Sequence, residues 1–119
     1  MIDLDDFKLY NDTCGHNAGD MVLNTVVGIV RKCIRKTDIL IRYGGDEFLL
    51  ILDDPAPGEI NRIIQQVKTE LSSGTGTTGL RILAAVGSAE GCGADIRSLV
   101  KKADAAMYSD KAKSKEGRS

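Results

Sequence analysis

The chain has 119 residues, 42 % hydrophobic and 28 % charged, with 16 basic and 17 acidic side chains for a formal net charge of −1. That length suits a single domain, and the composition argues against global disorder. The balanced charge gives no reason to expect sequence-independent nucleic-acid binding, and no apolar run approaches the roughly 20 residues of a membrane span.

Residues 1–6 read as the end of a strand running into the acidic residues Asp3, Asp5 and Asp6, with little length for a central strand. The polar, glycine-bearing stretch 11–20 predicts a loop or broken turn. Leu23, Val26, Val27, Val30, Cys33 and Ile34 then recur at helical spacing, with Asp20 placed to cap the start. Arg31, Lys32, Arg35 and Lys36 crowd the end of that segment, as the helix dipole prefers. Two short apolar strands, 39–43 and 48–52, bracket Gly44-Gly45-Asp46-Glu47 and predict a β-hairpin. Ile60, Ile63, Ile64, Val67 and Leu71 predict a second amphipathic helix. Residues 72–79 read as a small-residue connection, 80–88 as a buried strand, and 94–113 as a third helix with Ile96, Leu99, Val100, Ala103, Ala106 and Met107 on its apolar stripe. The last seven residues are expected to fray. Together these elements predict an α+β fold, an α/β sandwich with helices flanking a mainly antiparallel sheet. Cys14, Cys33 and Cys92 form neither a CxxC pair nor a disulfide framework, which fits structural thiols in a reducing, cytoplasmic setting. No charged leader precedes an apolar stretch, so the chain itself is expected to carry no export signal or anchor.

The Gly44-Gly45-Asp46-Glu47 turn is chemically unusual. A turn built for stability alone favours Asn-Gly or Asp-Gly. Here two adjacent carboxylates sit at the tip beside glycines that let another group approach the backbone. Either they form a solvated acidic turn, or they join the strand-end acids Asp3, Asp5 and Asp6 in a cradle for a divalent cation. Mg²⁺ is held by one or two carboxylates together with substrate phosphates, and Lys8 lies close enough in sequence to serve those phosphates. The plainer alternative for Asp3 to Asp6 is capping of the next helix. His16 is the one histidine, and in its Gly-His turn it reads as a loop-fixing residue rather than a metal ligand.

Taken jointly, Asp3-Leu4-Asp5-Asp6-Phe7-Lys8, Asn11-Asp12, Gly15-His16, Gly19-Asp20, Arg42-Tyr43-Gly44-Gly45-Asp46-Glu47-Phe48, Ala103-Asp104-Ala105-Ala106-Met107-Tyr108 and Lys111 resemble the GGDEF family, the diguanylate cyclase domain. The likeness runs through essentially the whole chain in order and spacing. It implies a nucleotidyl-cyclase or polymerase-palm-like fold with the signature turn on its β-hairpin. It also implies condensation of two GTP into cyclic di-GMP and pyrophosphate. By resemblance, Asp3, Asp46 and the Leu4 carbonyl hold Mg²⁺, with Mn²⁺ as an alternative ion. Asp46 and Glu47 are the catalytic acids. The backbone around Phe7 and Gly45 and the side chains of Lys8 and Lys111 serve the triphosphate. Asn11 and Asp20 take the guanine edge, which suits a group that donates and accepts beside one that accepts.

One GTP per domain implies a homodimer with its active-site faces opposed. Arg35-Lys36-Thr37-Asp38 matches the RxxD pattern of the family's product-inhibition site, and Arg62 is the candidate for a further arginine there. The plainer alternative is a basic helix end beside a surface aspartate. The chain departs from the family pattern in two places. Lys115 stands where an arginine is usual, and the helix, wide turn and most of the first strand that normally open the domain do not precede Met1. On that ground residues 1–119 are expected to be a single domain lacking its usual N-terminal helix. A catalytically silent module that binds cyclic di-GMP or GTP is the competing expectation.

Overall fold

The computed structural model describes residues 1–73, 82–91 and 96–118, with side chains through residue 113. In chain order the elements are β1 (Ile2–Leu4), α1 (Phe7–Cys14), α2 (His16–Cys33), β2 (Ile39–Arg42), β3 (Glu47–Ile51), α3 (Glu59–Ser73), β4 (Ala84–Val86) and α4 (Ile96–Arg118). Among the described residues the strands form one antiparallel sheet in the order β2-β3-β1-β4. This is the expected α+β architecture.

The strand that looked too short to be central is central. β1 has three residues, all buried. Hydrogen bonds on both sides extend its pairing. Leu4 N–H donates to Asp46 O at 3.0 Å, and Asp5 N–H donates to Leu83 O at 2.8 Å. At the other end the Met1 amino group donates to Gly87 O at 2.9 Å, and Gly87 N–H returns a bond to Met1 O at 3.0 Å. Two-sided pairing offsets the short length, because the buried backbone groups are bonded to neighbours.

Strand alternation divides the core into two layers. Ile2, Leu4 and Phe48 pack with Val22, Val26, Ile29 and Val30 of α2 and with Ile63, Val67 and Leu71 of α3. Met1 and Ala85 pack on the opposite face with Ala103 and Met107 of α4. Of the predicted α2 stripe Leu23, Val26, Val30 and Cys33 bury, joined by Val22 and Ile29, while Val27 and Ile34 are half-buried; of the α3 stripe Ile63, Val67 and Leu71 bury and Ile60 and Ile64 are half-buried. In α4 only Ala103 and Met107 of the stripe bury; Leu99 and Val100 are half-buried, and Ile96 and Ala106 are exposed. β4 ends the sheet, and its outward Val86 N–H donates to Asp110 Oδ2 at 2.9 Å, an oxygen that also takes Lys68 Nζ at 2.5 Å. This blocks part of an open edge.

Three local expectations are corrected. Residues 11–20 are not a loop. They lie in α1 and α2, which are broken only at Gly15 with φ +94°. Asp20 consequently sits inside α2 and does not cap it; Gly15 holds the N-cap position. The tail continues as helix through Arg118 rather than fraying before it. Cys33 is buried as expected of a structural thiol, whereas Cys14 is exposed. Cys92, the 74–79 connection, the start of the 80–88 strand and residues 94–95 lie outside the described residues.

α4 covers only the β4 side of its sheet face. The register places Ile39 opposite Ile51 and Ile41 opposite Leu49 on that face, and Ile39 and Ile41 are 53 % and 40 % exposed. Beside them lies a cleft of about 790 Å³, bounded by Met1, Leu49, Ile51, Ile64, Leu99 and Val100. It is mostly apolar and takes in none of Asp3, Asp46 or Glu47, so this cleft is not where the acids gather.

Candidate active site

The hairpin tip is held from three sides. Glu47 O accepts from Tyr43 N–H at 2.9 Å and Gly44 N–H at 3.2 Å. The Arg42 guanidinium donates to Gly44 O at 3.3 Å and to Gly45 O at 2.9 Å. The Asp46 carbonyl is tied to Leu4 N–H. Neither Gly44 nor Gly45 has a positive φ, so left-handed backbone is not what calls for glycine here. A Cβ on Gly45 would meet nothing within 4 Å. Its lack of a side chain leaves the backbone open to an incoming group, as the sequence suggested.

The sheet register brings the acids together. Asp3 lies opposite Glu47, and the Leu4–Asp46 bond sets Asp46 alongside. Asp3 is 6 % exposed. Its Oδ2 accepts from Lys111 Nζ at 3.0 Å, and its Oδ1 has no hydrogen-bond partner. Burial, and then the charge of Asp46, push the Asp3 carboxyl above its ordinary range despite Lys111. Burial, followed by Asp3, Asp104 and Asp46, pushes Glu47 up as well. The hydrogen bond to Asp3 raises Lys111 in turn. These are the mutual shifts expected of like charges crowded at a partly desolvated site.

Lys111 reaches Asp3 because α4 packs tightly on the sheet. A Cβ on Gly87 would collide with the backbone of Ala103, Ala106 and Met107, so glycine permits the close approach. Lys111 follows one turn after Met107.

The β1–α1 corner supplies a second group. Asp6 adopts a left-handed φ of 55° and makes no side-chain cap, which leaves the first N–H groups of α1 without one. Phe7 and Lys8 open that helix, and Lys8 is exposed. An uncapped helix start next to a lysine suits phosphate oxygens. Asn11 of α1 lies directly over Gly19 of α2, where a Cβ would run into Asn11 Oδ1. Asn11 thus abuts Gly19, the residue before Asp20. Asn11 Nδ2 lies 3.2 Å from His16 Nδ1, so His16 does hold this corner as the sequence suggested.

Arg35 and Asp38 lie apart from these acids, after α2. The Asp38 side chain is fully buried. It accepts from Arg35 N–H at 2.8 Å, from Asp53 N–H at 3.1 Å, and from the Arg35 guanidinium at 3.3 and 3.5 Å. Burial raises the Asp38 carboxyl, but these bonds outweigh it and hold it below the ordinary range. Arg35 also donates to Asp53 O and faces Glu59 at 3.6 Å, while Arg62 meets the same Glu59 at 4.0 Å. The two arginines suggested by sequence are gathered by one glutamate. The plain surface-aspartate alternative fails, because Asp38 is buried.

Sequence reasoning assigned no role to Arg42, Asp104 or Glu59. Arg42 stood within the signature and carried no further cue. Glu59 accepts from Ala56 N–H at 2.8 Å and also faces the distant Arg35, while Asp104 bears on Glu47 only through the packing of α4.

A family model described as "Diguanylate cyclase, GGDEF domain" matches residues 1–117. Diguanylate cyclase A of Treponema denticola is 33 % identical over 116 residues, which cover 93 % of this chain and 31 % of that protein. The cyclic di-GMP phosphodiesterase PdeB of Shewanella oneidensis is 35 % identical over 119 residues, covering 94 % of this chain and 14 % of that one. The crystal structure of the GGDEF domain of DgcB from Caulobacter crescentus in complex with c-di-GMP superposes with a TM-score of 0.81 at 30 % identity, covering 93 % of this chain and 69 % of that one. The chain spans less than a third of the length of these two curated relatives. With the fold, the signature turn and the match over residues 1–117 in agreement, this chain belongs to the GGDEF family of diguanylate cyclase domains.

Proposed function

We propose that the chain is a diguanylate cyclase domain that joins two GTP into cyclic di-GMP and releases two pyrophosphates. The observation that carries this reading is the juxtaposition of Asp3, Asp46 and Glu47 across β1 and β3, with Lys111 beside them. Asp3, Asp46 and the Leu4 carbonyl are the residues to hold Mg²⁺ or Mn²⁺. A buried Asp3 oxygen without a hydrogen-bond partner and an all-oxygen donor set fit such an ion. Among the described residues no three His, Cys, Asp or Glu side chains converge to hold an ion. When bound, the metal neutralises charge developing on the α-phosphate and the departing pyrophosphate.

Each condensation forms a bond from a 3′-oxygen to the α-phosphorus of the other GTP and breaks the α–β phosphoanhydride. Glu47, its carboxyl raised, is a suitable acceptor for the 3′-hydroxyl proton. Lys8, the start of α1 and Lys111 orient the triphosphate, and the open backbone at Gly45 admits it. Asn11 and Asp20 bind the guanine edge. The second nucleotide comes from a second copy of the domain, so turnover requires a two-fold homodimer with the sites facing. Arg35 presents its guanidinium to product for feedback, with Asp38 holding it in place and Arg62 nearby.

Asp46→Ala and Glu47→Ala are each expected to lower cyclic di-GMP synthesis at least about a hundredfold with the melting curve retained. Unchanged synthesis in either variant refutes the catalytic role of that residue. A second reading, binding without turnover, is favoured by the naming of the 35 % identical relative PdeB as a phosphodiesterase. Calorimetry separates the two. Cyclic di-GMP binding that is lost in Arg35→Ala, together with no product from GTP, supports the second.

A further inference from the structure

Asp3 is buried at the centre of the sheet, and its neighbours Asp46 and Glu47 are also acidic. A lone carboxylate in that position is costly unless it is paired. The pairing comes from Lys111, 108 residues away in sequence, whose Nζ lies 3.0 Å from Asp3 Oδ2. Oδ1 has no hydrogen-bond partner, so the site is half satisfied by a single positive charge where several negative ones gather.

The two ends of the Lys111 side chain differ in freedom. Its backbone is fixed, because α4 is held to the sheet by Met107, which is buried, and by the glycine contact at Gly87. Its four-carbon stem is flexible, and the side chain is 25 % exposed. The ammonium can therefore swing while the helix stays still. A divalent cation on Asp3 and an ammonium on the same carboxylate would repel one another at about 4 Å in a partly desolvated site.

We propose that Lys111 is a placeholder cation. It neutralises Asp3 in the nucleotide-free domain and gives the carboxylate up only when metal arrives together with a triphosphate, whose oxygens then receive the ammonium. This rests on the proposed metal role of Asp3. Its consequence is distinct from that role: Lys111 weakens the binding of free metal and makes metal and nucleotide bind cooperatively. Linkage requires the coupling to be reciprocal.

The test is Mn²⁺ binding, read by loss of the free-ion electron paramagnetic resonance signal, on the whole chain with and without a non-hydrolysable GTP analogue. Lys111→Met is expected to melt at a lower temperature without metal yet to bind Mn²⁺ at least about fivefold more tightly when nucleotide is absent, the lower end of typical coupling. The extra affinity conferred by the analogue should shrink by the same factor. Lys111→Arg, which keeps the charge, should bind no more tightly than the parent. Lys111→Gln replaces the Met variant should that fail to fold.

Asp3→Asn separates the two ways of failing. If it weakens Mn²⁺ binding while neutral variants at position 111 bind no more tightly than the parent, the placeholder idea is overturned and the metal site stands. If Asp3→Asn leaves Mn²⁺ binding unchanged, the metal role of Asp3 fails and takes the placeholder with it.

Discussion

Asp38 shows how a residue picked out for ligand binding can do its work from inside the protein. Both of its oxygens are engaged by Arg35 and by the Asp53 backbone, so its contribution is to fix the direction of Arg35. Hydrogen bonds to a charged group contribute about 2 kcal/mol each, and Asp38→Ala is expected to lower stability by about that amount, read from denaturant melts. The pH dependence follows from the shift. The folded pKa lies below the unfolded value of about 3.9, so the stabilisation is complete above that value and is lost as pH falls through the folded pKa. Asp110 behaves alike: burial raises it, but Lys68 and the Val86 N–H outweigh that and hold it down. Asp3 and Glu47 have the opposite sign, and their ionisation costs stability as pH rises above about 4. Asp38→Asn should therefore flatten the fall in melting temperature below pH 4 and leave the profile above pH 6 parallel to the parent's.

Gly45 makes a complementary prediction at the same scale. Its φ is not positive and its surroundings are open, so Gly45→Ala should change folding stability by no more than about 0.5 kcal/mol. Nucleotide affinity should nevertheless fall about tenfold or more by calorimetry, because the added methyl occupies the approach to the backbone. A full loss of folding in Gly45→Ala would place the need for glycine in the turn rather than in binding.

At the scale of elements, the hairpin, α3 and much of the buried face of α2 were legible: two short apolar runs bracket Gly44-Gly45, and apolar residues recur every three to four positions in Leu23–Ile34 and Ile60–Leu71. The α1–α2 corner was not. α1 is short and buries none of its eight residues, and only Phe7 and Tyr10 pack partly against the core. Its helical state depends on docking against α2, with Gly15 making the break. Local polarity therefore read as loop. The same corner sets Asn11 against Gly19, a contact between two helices that local polarity does not display. The packing of α4 was equally hidden, since it depends on Gly87, a residue in no recognisable motif. Gly87→Ala should destabilise the fold by about 1–3 kcal/mol through overpacking and draw Lys111 away from Asp3. A melting temperature unchanged within error would show that α4 can shift at little cost.

At the scale of the whole molecule, the sheet is covered unevenly. One face carries both α2 and α3, whereas the other carries α4 over β4 and leaves Ile39 and Ile41 open beside the 790 Å³ cleft. None of Asp3, Asp46 or Glu47 lines this cleft, and the acids gather where β1 pairs with β3. Asp3 of β1, Asp46 and Glu47 at the start of β3, and Lys111 of α4 meet there. What the motif pattern could not anticipate was the electrostatic balance between them, since burial and register set that. In the proposed reaction each domain would bring one nucleotide, so the two-fold product would demand two copies.

The most direct test of the central claim is therefore cyclic di-GMP formation from GTP and Mg²⁺, read by mass, with specific activity followed across protein concentration. The account predicts product whose rate per chain rises with concentration and which disappears in Glu47→Ala. A folded chain that binds GTP yet yields no cyclic di-GMP at any concentration would contradict it.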